Sequence, residues 1–128
     1  MALRRGIPIA ALLLAVAGGG CLHRRAAGVP PADDGTVHVV VTNNYEVPMV
    51  VYASGTGTTL RLGIVAPGIE REFVLRRHSY ENGPVTFSAG PSGDPRRVSA
   101  WPLQLVSGDV VDFVIATLLN GTTATIRP

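Results

Sequence analysis

Three histidines, His23, His38 and His78, are the residues best suited to proton transfer or metal ligation. Their spacing supports neither. Chelation within one element needs pairs such as His-x-His or His-x-x-x-His. None exists, so a metal site would have to be assembled from distant residues. His38 sits among valines in Val37-His38-Val39-Val40-Val41, where a surface or hydrogen-bonded histidine is expected. Asp109 and Asp112 would fall on opposite faces of a strand, which is poor for shared chelation, and Asp109 is expected to cap the turn at Gly108. Ser92 lies in a Gly/Pro loop without a neighbouring base, and no G-x-S-x-G elbow is present. Gly55-Thr56-Gly57 lacks the third glycine and the following helix that phosphate binding requires. Asn120-Gly121-Thr122 matches a glycosylation sequon but reads as a hairpin turn. The expectation is a non-enzymatic chain with no catalytic residues, no metal and no cofactor.

Two features suit binding rather than catalysis. Arg76-Arg77-His78-Ser79-Tyr80-Glu81 places cations, an aromatic ring and a carboxylate in one loop. Such a segment reads first as a plain polar connection between strands, and as a binding loop it fits an anionic glycan, a peptidoglycan carboxylate or a partner loop. Trp101, the only tryptophan, stands beside Pro102 and reads either as core filler or as an exposed platform for stacking a sugar. The binding candidates are therefore Arg76, Arg77, His78, Tyr80 and Trp101, with a carbohydrate or peptide as ligand.

The remaining reactive side chain is Cys21, the only cysteine. It follows a leader with Arg4 and Arg5, the apolar run Ile7 to Ala17, and three glycines. Eleven apolar residues suit a secretory signal and fall short of the roughly 20 needed to span a bilayer. Two cleavage readings compete. Ala15-Val16-Ala17 fits the A-x-A rule, whereas Gly18-Gly19-Gly20-Cys21 looks like a lipobox whose cysteine receives diacylglycerol. Gly18 stands where that motif usually has a larger aliphatic residue. Lipidation at Cys21 is the preferred reading. Each buried CH2 contributes about 0.8 kcal/mol, so two or three acyl chains anchor a protein stably. The expected location is the bacterial cell envelope, lipid-anchored or secreted, with a membrane, an envelope protein or a glycan as partner.

Charge narrows the partners further. The formal net charge of +2 comes from the leader and tether. From Thr36 onward seven arginines face seven acids, and the chain has no lysine. A neutral domain lacks the basic footprint of a nucleic-acid-binding protein. A lone cysteine excludes an internal disulfide, so the domain must fold on its apolar core.

These residues need elements to hold them. Residues 1–21 read as the signal peptide, 22–35 as a Pro/Gly-rich tether and 36–128 as one domain. Short β-branched segments recur about every 10 residues between turn signals, the pattern of an all-β sandwich. Strands are expected at Val37–Val41, Val47–Ala53, Thr59–Val65, Ile69–Leu75, Val85–Ala89, Val98–Leu105, Val110–Ala116 and Thr122–Ile126. Ala66-Pro67-Gly68 predicts a type II turn and Asn120-Gly121 a tight hairpin. Leu60, Leu62 and Ile64 are expected on one face. The fold expected is an immunoglobulin-like or transthyretin-like antiparallel sandwich of seven to eight strands, with a small closed barrel as the alternative. Pro48 and Pro102 would protect edge strands from pairing, which favours a monomer.

The stretch Arg61 to Gly68 (RLGIVAPG), with Phe73 after it and Ser107-Gly108-Asp109-Val110-Val111 later, resembles small exported β-sandwich proteins of high-GC bacteria, often predicted to be lipoproteins. The resemblance spans about Val37 to Ile126. It implies fold and location, and it carries no activity and no site residue.

Overall fold

In Val37–Val41 the odd positions are all valine, and a period-two pattern of this kind buries one face of a strand. The computed structural model, which describes residues 34–128, buries Val37, Val39 and Val41 completely and leaves His38 and Val40 half-buried on the other side. The signal segment, Cys21 and the tether through residue 33 lie outside the described residues.

Eight strands form two four-stranded sheets. They are β1 (Val37–Asn43), β2 (Met49–Gly55), β3 (Thr58–Val65), β4 (Glu70–Leu75), β5 (Thr86–Pro91), β6 (Val98–Ser99), β7 (Val110–Ile115) and β8 (Thr123–Ile126). One sheet has the order β4-β1-β7-β8 and the other β3-β2-β5-β6. Their inner faces meet in a single core, in which Phe87 of β5 and Phe113 of β7 pack with ring centroids 5.9 Å apart. The arrangement is sandwich-like, with one departure from a purely antiparallel expectation: β1 and β7 pair in parallel, His38 against Val110 through Asn43 against Ile115. A parallel pair requires a long crossover, and most of the chain lies between these two strands.

Three local readings are corrected. Leu60 and Ile64 do not share a face. The β2–β3 register shifts between Val51 and Tyr52, leaving Leu62 as the extra residue of a bulge. Leu60 then pairs with buried Ala53, and Ile64 pairs with Val50 on the opposite face. Gly63, beside the bulge, has φ +156°, and a Cβ there would come within 2.8 Å of the Phe73 ring. The second correction concerns Val98–Leu105, of which only Val98–Ser99 is strand. Pro102 has no N–H to donate, and pairing resumes in the single bridge between Val85 and Leu103. Third, Asn120-Gly121 is not a two-residue hairpin. Gly121 lacks the positive φ that turn needs, and the loop closes with a 3-10 turn over Leu119–Gly121. The Pro67-Gly68 turn matches its expectation: Gly68 has φ +73° and Ile69 N–H donates to Ala66 O at 3.2 Å.

The short links gather the loops at two ends. At the upper end lie residues 44–48, 66–69, 92–97 and 116–122. At the lower end lie the β2–β3 turn, residues 76–85 and 100–109, together with Asp34 to Thr36, where the described chain enters. Hydrogen bonds between loops fix both groups, as with Asn44 N to Ile115 O at 2.9 Å above and Gly108 N to Thr36 O at 2.9 Å below.

Candidate functional site

Each end carries a cleft. The lower one, about 220 Å³, lies between the β2–β3 turn and the 76–85 loop, with Thr56, Leu60, His78, Ser79, Tyr80 and Asn82 among its lining residues. The loop is built by a 3-10 turn over Arg77–Ser79, in which Ser79 N donates to Arg76 O and Tyr80 N to Arg77 O. That turn drives Tyr80 into the core. Its ring is only 3% exposed, and its hydroxyl donates to Gly35 O at 2.8 Å. Tyr80 is therefore an internal tie between loop and chain entry rather than a surface aromatic. Arg76, Arg77, His78 and Glu81 are exposed, and the Arg77 guanidinium lies against Gly35. The cleft takes His78 and Tyr80 from the sequence-derived candidates and omits Arg76, Arg77 and Trp101. No hydrogen bond joins His78 to Ser79 or Ser92 among the described residues.

Trp101 is 85% exposed, so the core-filler reading is overturned. The reason is local. Ala100 N donates to Phe87 O at 2.9 Å and Leu103 pairs with Val85, so the two residues between them loop out from the sheet edge. Trp101 and Pro102 are those two, and both are exposed.

The upper cleft, about 360 Å³, was not anticipated from sequence. Of the two clefts, this one falls within the range of about 300–1,000 Å³ typical of small-molecule sites. Its polar groups are Tyr45, Arg96, Arg97 and Asn120, and its apolar walls include Ala89, Pro91, Val98 and Leu119. Three separate clamps hold these residues in place. The first is Asn43, fully buried at the end of β1, whose Nδ2 donates to Val47 O and Val65 O, each at 2.9 Å. Its Oδ1 accepts from Tyr45 N–H at 2.9 Å, which sets Tyr45 at the cleft. The second is Asp94, which accepts from Arg96 N at 2.9 Å and from the Arg96 guanidinium. This hydrogen bonding to Arg96 lowers the Asp94 carboxyl to about 2. The third is Thr122, whose hydroxyl accepts from Ala116 N–H at 3.1 Å and closes the loop that carries Leu119 and Asn120.

Gly90 brings the second loop onto the sheet. A Cβ there would overlap the Arg96 carbonyl oxygen, so only glycine lets residues 96–97 lie across this face. Arg97 then stacks over the Tyr52 ring at 3.7 Å from its centroid. The signal for this cleft in the sequence was slight: an Arg-Arg pair after a Gly/Pro loop, and a tyrosine after Asn43-Asn44.

Elsewhere polar side chains pair on the open face of the first sheet. His38 Nδ1 lies 3.5 Å from Glu72 Oε2, and Arg127 Nε donates to Asp112 Oδ2 at 3.0 Å. Asp109 Oδ2 accepts from Val106 N–H at 2.9 Å, the turn cap expected of it. Among the described residues, no three His, Cys, Asp or Glu side chains converge as metal ligands would.

No family model matches the chain, and no curated protein matches it. The chain is similar to a protein from Eubacterium rectale whose structure was solved by NMR. The match covers 77% of this chain and 95% of that chain, at 9% identity and a TM-score of 0.48.

Proposed function

We propose that this chain is a non-catalytic binding module of the bacterial envelope, held to a membrane by lipid on Cys21, and that Trp101 is its contact residue for glycan. The observation that carries the reading is the exposure of Trp101. An indole left 85% in solvent adds nothing to the core, and tryptophan is enriched among the residues that dominate binding energy at interfaces. An indole face fits the C–H face of a sugar ring, and Pro102 beside it extends the platform.

Of the two sandwich types expected, the transthyretin-like one fits better. Immunoglobulin domains place their first, second, fourth and fifth strands in one sheet. In this chain β1 and β2 lie in different sheets.

The test uses Trp101 as its own reporter, since no other tryptophan contributes emission. The full-length chain is expected to show red, solvent-like emission that shifts to the blue when oligomers of N-acetylglucosamine are added. Emission that is already blue, or that ignores the oligomers, contradicts glycan binding at Trp101. For the anchor, Cys21→Ser is expected to move the protein from membranes to the soluble fraction. A wild-type protein already soluble and beginning at Gly18 contradicts lipidation.

A further inference from the structure

The upper cleft contains one cation with no acid to balance it. Arg96 is paired with Asp94 through a contact of 2.6 Å and presents little net charge. Arg97, one residue on, makes no hydrogen bond or ion pair among the described residues. Its guanidinium lies over the face of Tyr52, 3.7 Å from the ring centroid. Stacking holds a guanidinium plane in place while leaving its edge donors open, and a planar fork of donors matches a carboxylate with two parallel hydrogen bonds. The same cleft is lined by two further residues whose side chains make no hydrogen bond among the described residues, Tyr45 and Asn120. They complement the N–H and C=O of a peptide bond. Ala89, Pro91, Val98 and Leu119 supply apolar walls for a small side chain.

From these observations we infer that the upper cleft is a binding site for a peptide C-terminus. Arg97 takes the terminal carboxylate, Tyr45 and Asn120 take the last peptide bond, and the apolar walls take a small terminal side chain. A single free guanidinium suits one carboxylate better than a doubly charged phosphate, which would ask for a second cation. The volume, about 360 Å³, suits one or two residues rather than a long peptide. The site is built before any ligand arrives, because Asn43, Asp94 and Thr122 fix its three loops from within the protein. Little ordering therefore remains for binding to impose. This site is separate from Trp101 and does not depend on glycan recognition there.

The test is a titration of the 15N-labelled full-length chain with N-acetyl-alanylalanine, in its L,L and D,D forms, and with the corresponding C-terminal amides. The free acid of at least one form is expected to shift the amides of Tyr45, Val98, Leu119 and Asn120, with Kd on the order of 1 mM for so small a ligand. The L,L form reports a protein C-terminus and the D,D form a cell-wall stem peptide. Loss of the carboxylate in the amide analogue is expected to weaken binding at least about tenfold, as is Arg97→Gln. Arg97→Lys, which keeps the charge and loses the fork, is expected to fall between wild type and Arg97→Gln. Arg97 is exposed, so these variants are expected to unfold at the same urea concentration as wild type. His78→Ala, at the other end, is expected to bind normally. Equal binding of acid and amide, an unchanged Kd in Arg97→Gln, or no shifts with either acid would overturn the inference.

Discussion

The two ends of the sandwich use their polar residues in opposite ways. At the lower end, the segment richest in chemistry-bearing side chains serves the fold. Tyr80 is buried and tied to Gly35, the carbonyls of Arg76 and Arg77 close a 3-10 turn, and Thr56 Oγ1 donates to Asn82 O at 3.0 Å. At the upper end, Arg96 apart, the residues that build the loops differ from those that face the cleft. Asn43, Asp94 and Thr122 do the holding, which leaves Tyr45, Arg97 and Asn120 open. Each donor or acceptor that a side chain commits to a backbone group is one fewer that it can offer a ligand. The upper end separates these tasks, and the lower end combines them.

Breaking the upper end's deepest clamp should have the largest effect. Asn43→Ala removes three hydrogen bonds and deprives two carbonyls of their amide donor, so a loss of about 3–5 kcal/mol is expected in urea unfolding. Asn43→Asp should be nearly as damaging, because a carboxylate cannot donate to Val47 O and Val65 O. A loss below about 1 kcal/mol in either variant would mean that the loop is held some other way.

Gly90→Ala comes next. Its methyl group would displace residues 96–97 and disturb the stacking of Arg97 on Tyr52, with an expected cost of about 1–3 kcal/mol. Cleft amides should shift while those of His78 and Ser79 stay in place. Tyr80→Phe is the matching change below. Removing one buried hydroxyl should cost about 1 kcal/mol and move amides near Gly35, leaving Tyr45 and Asn120 unmoved. Shifts at the far end in either variant would join what the comparison separates.

The smallest effect is on pH. Because Asp94 is lowered in the folded state, its clamp contributes fully above the ordinary carboxylate value of 3.8 and is lost as pH falls through about 2. Its carboxyl carbon, followed by NMR, should titrate near 2, with the Arg96 amide moving in step. A midpoint at the ordinary value would show that Arg96 does not hold it.

Much of the sandwich was legible because alternation and turn chemistry are local. Val37 to Val41, the Pro67-Gly68 turn and the Asp109 cap needed nothing beyond neighbouring residues. Other features depend on what lies across the sheet. The bulge at Leu62 belongs to the pairing of β2 with β3, and it separates Leu60 from Ile64 although both look equivalent along the chain. Parallel pairing of β1 with β7 leaves no mark in either strand. The exposure of Trp101 follows from where pairing lapses beside Pro102, and the burial of Tyr80 from a turn that aims it inward. The upper cleft was illegible for the same reason. Tyr45, Arg97 and Asn120 come from three loops, and only the order of the strands brings them together.

One titration tests the account most directly. A muropeptide, a disaccharide bearing a short peptide with a free carboxylate, is added to the 15N-labelled full-length chain. Shifts are predicted at the indole N–H of Trp101 and at the amides of Tyr45, Leu119 and Asn120, with those of His78 and Ser79 unchanged. Silence at Trp101 alone would count against the glycan reading, and silence at Tyr45, Leu119 and Asn120 alone against the carboxylate site. Shifts confined to His78 and Ser79 would contradict the account as a whole, placing the binding surface in the lower cleft, which includes neither Trp101 nor Arg97.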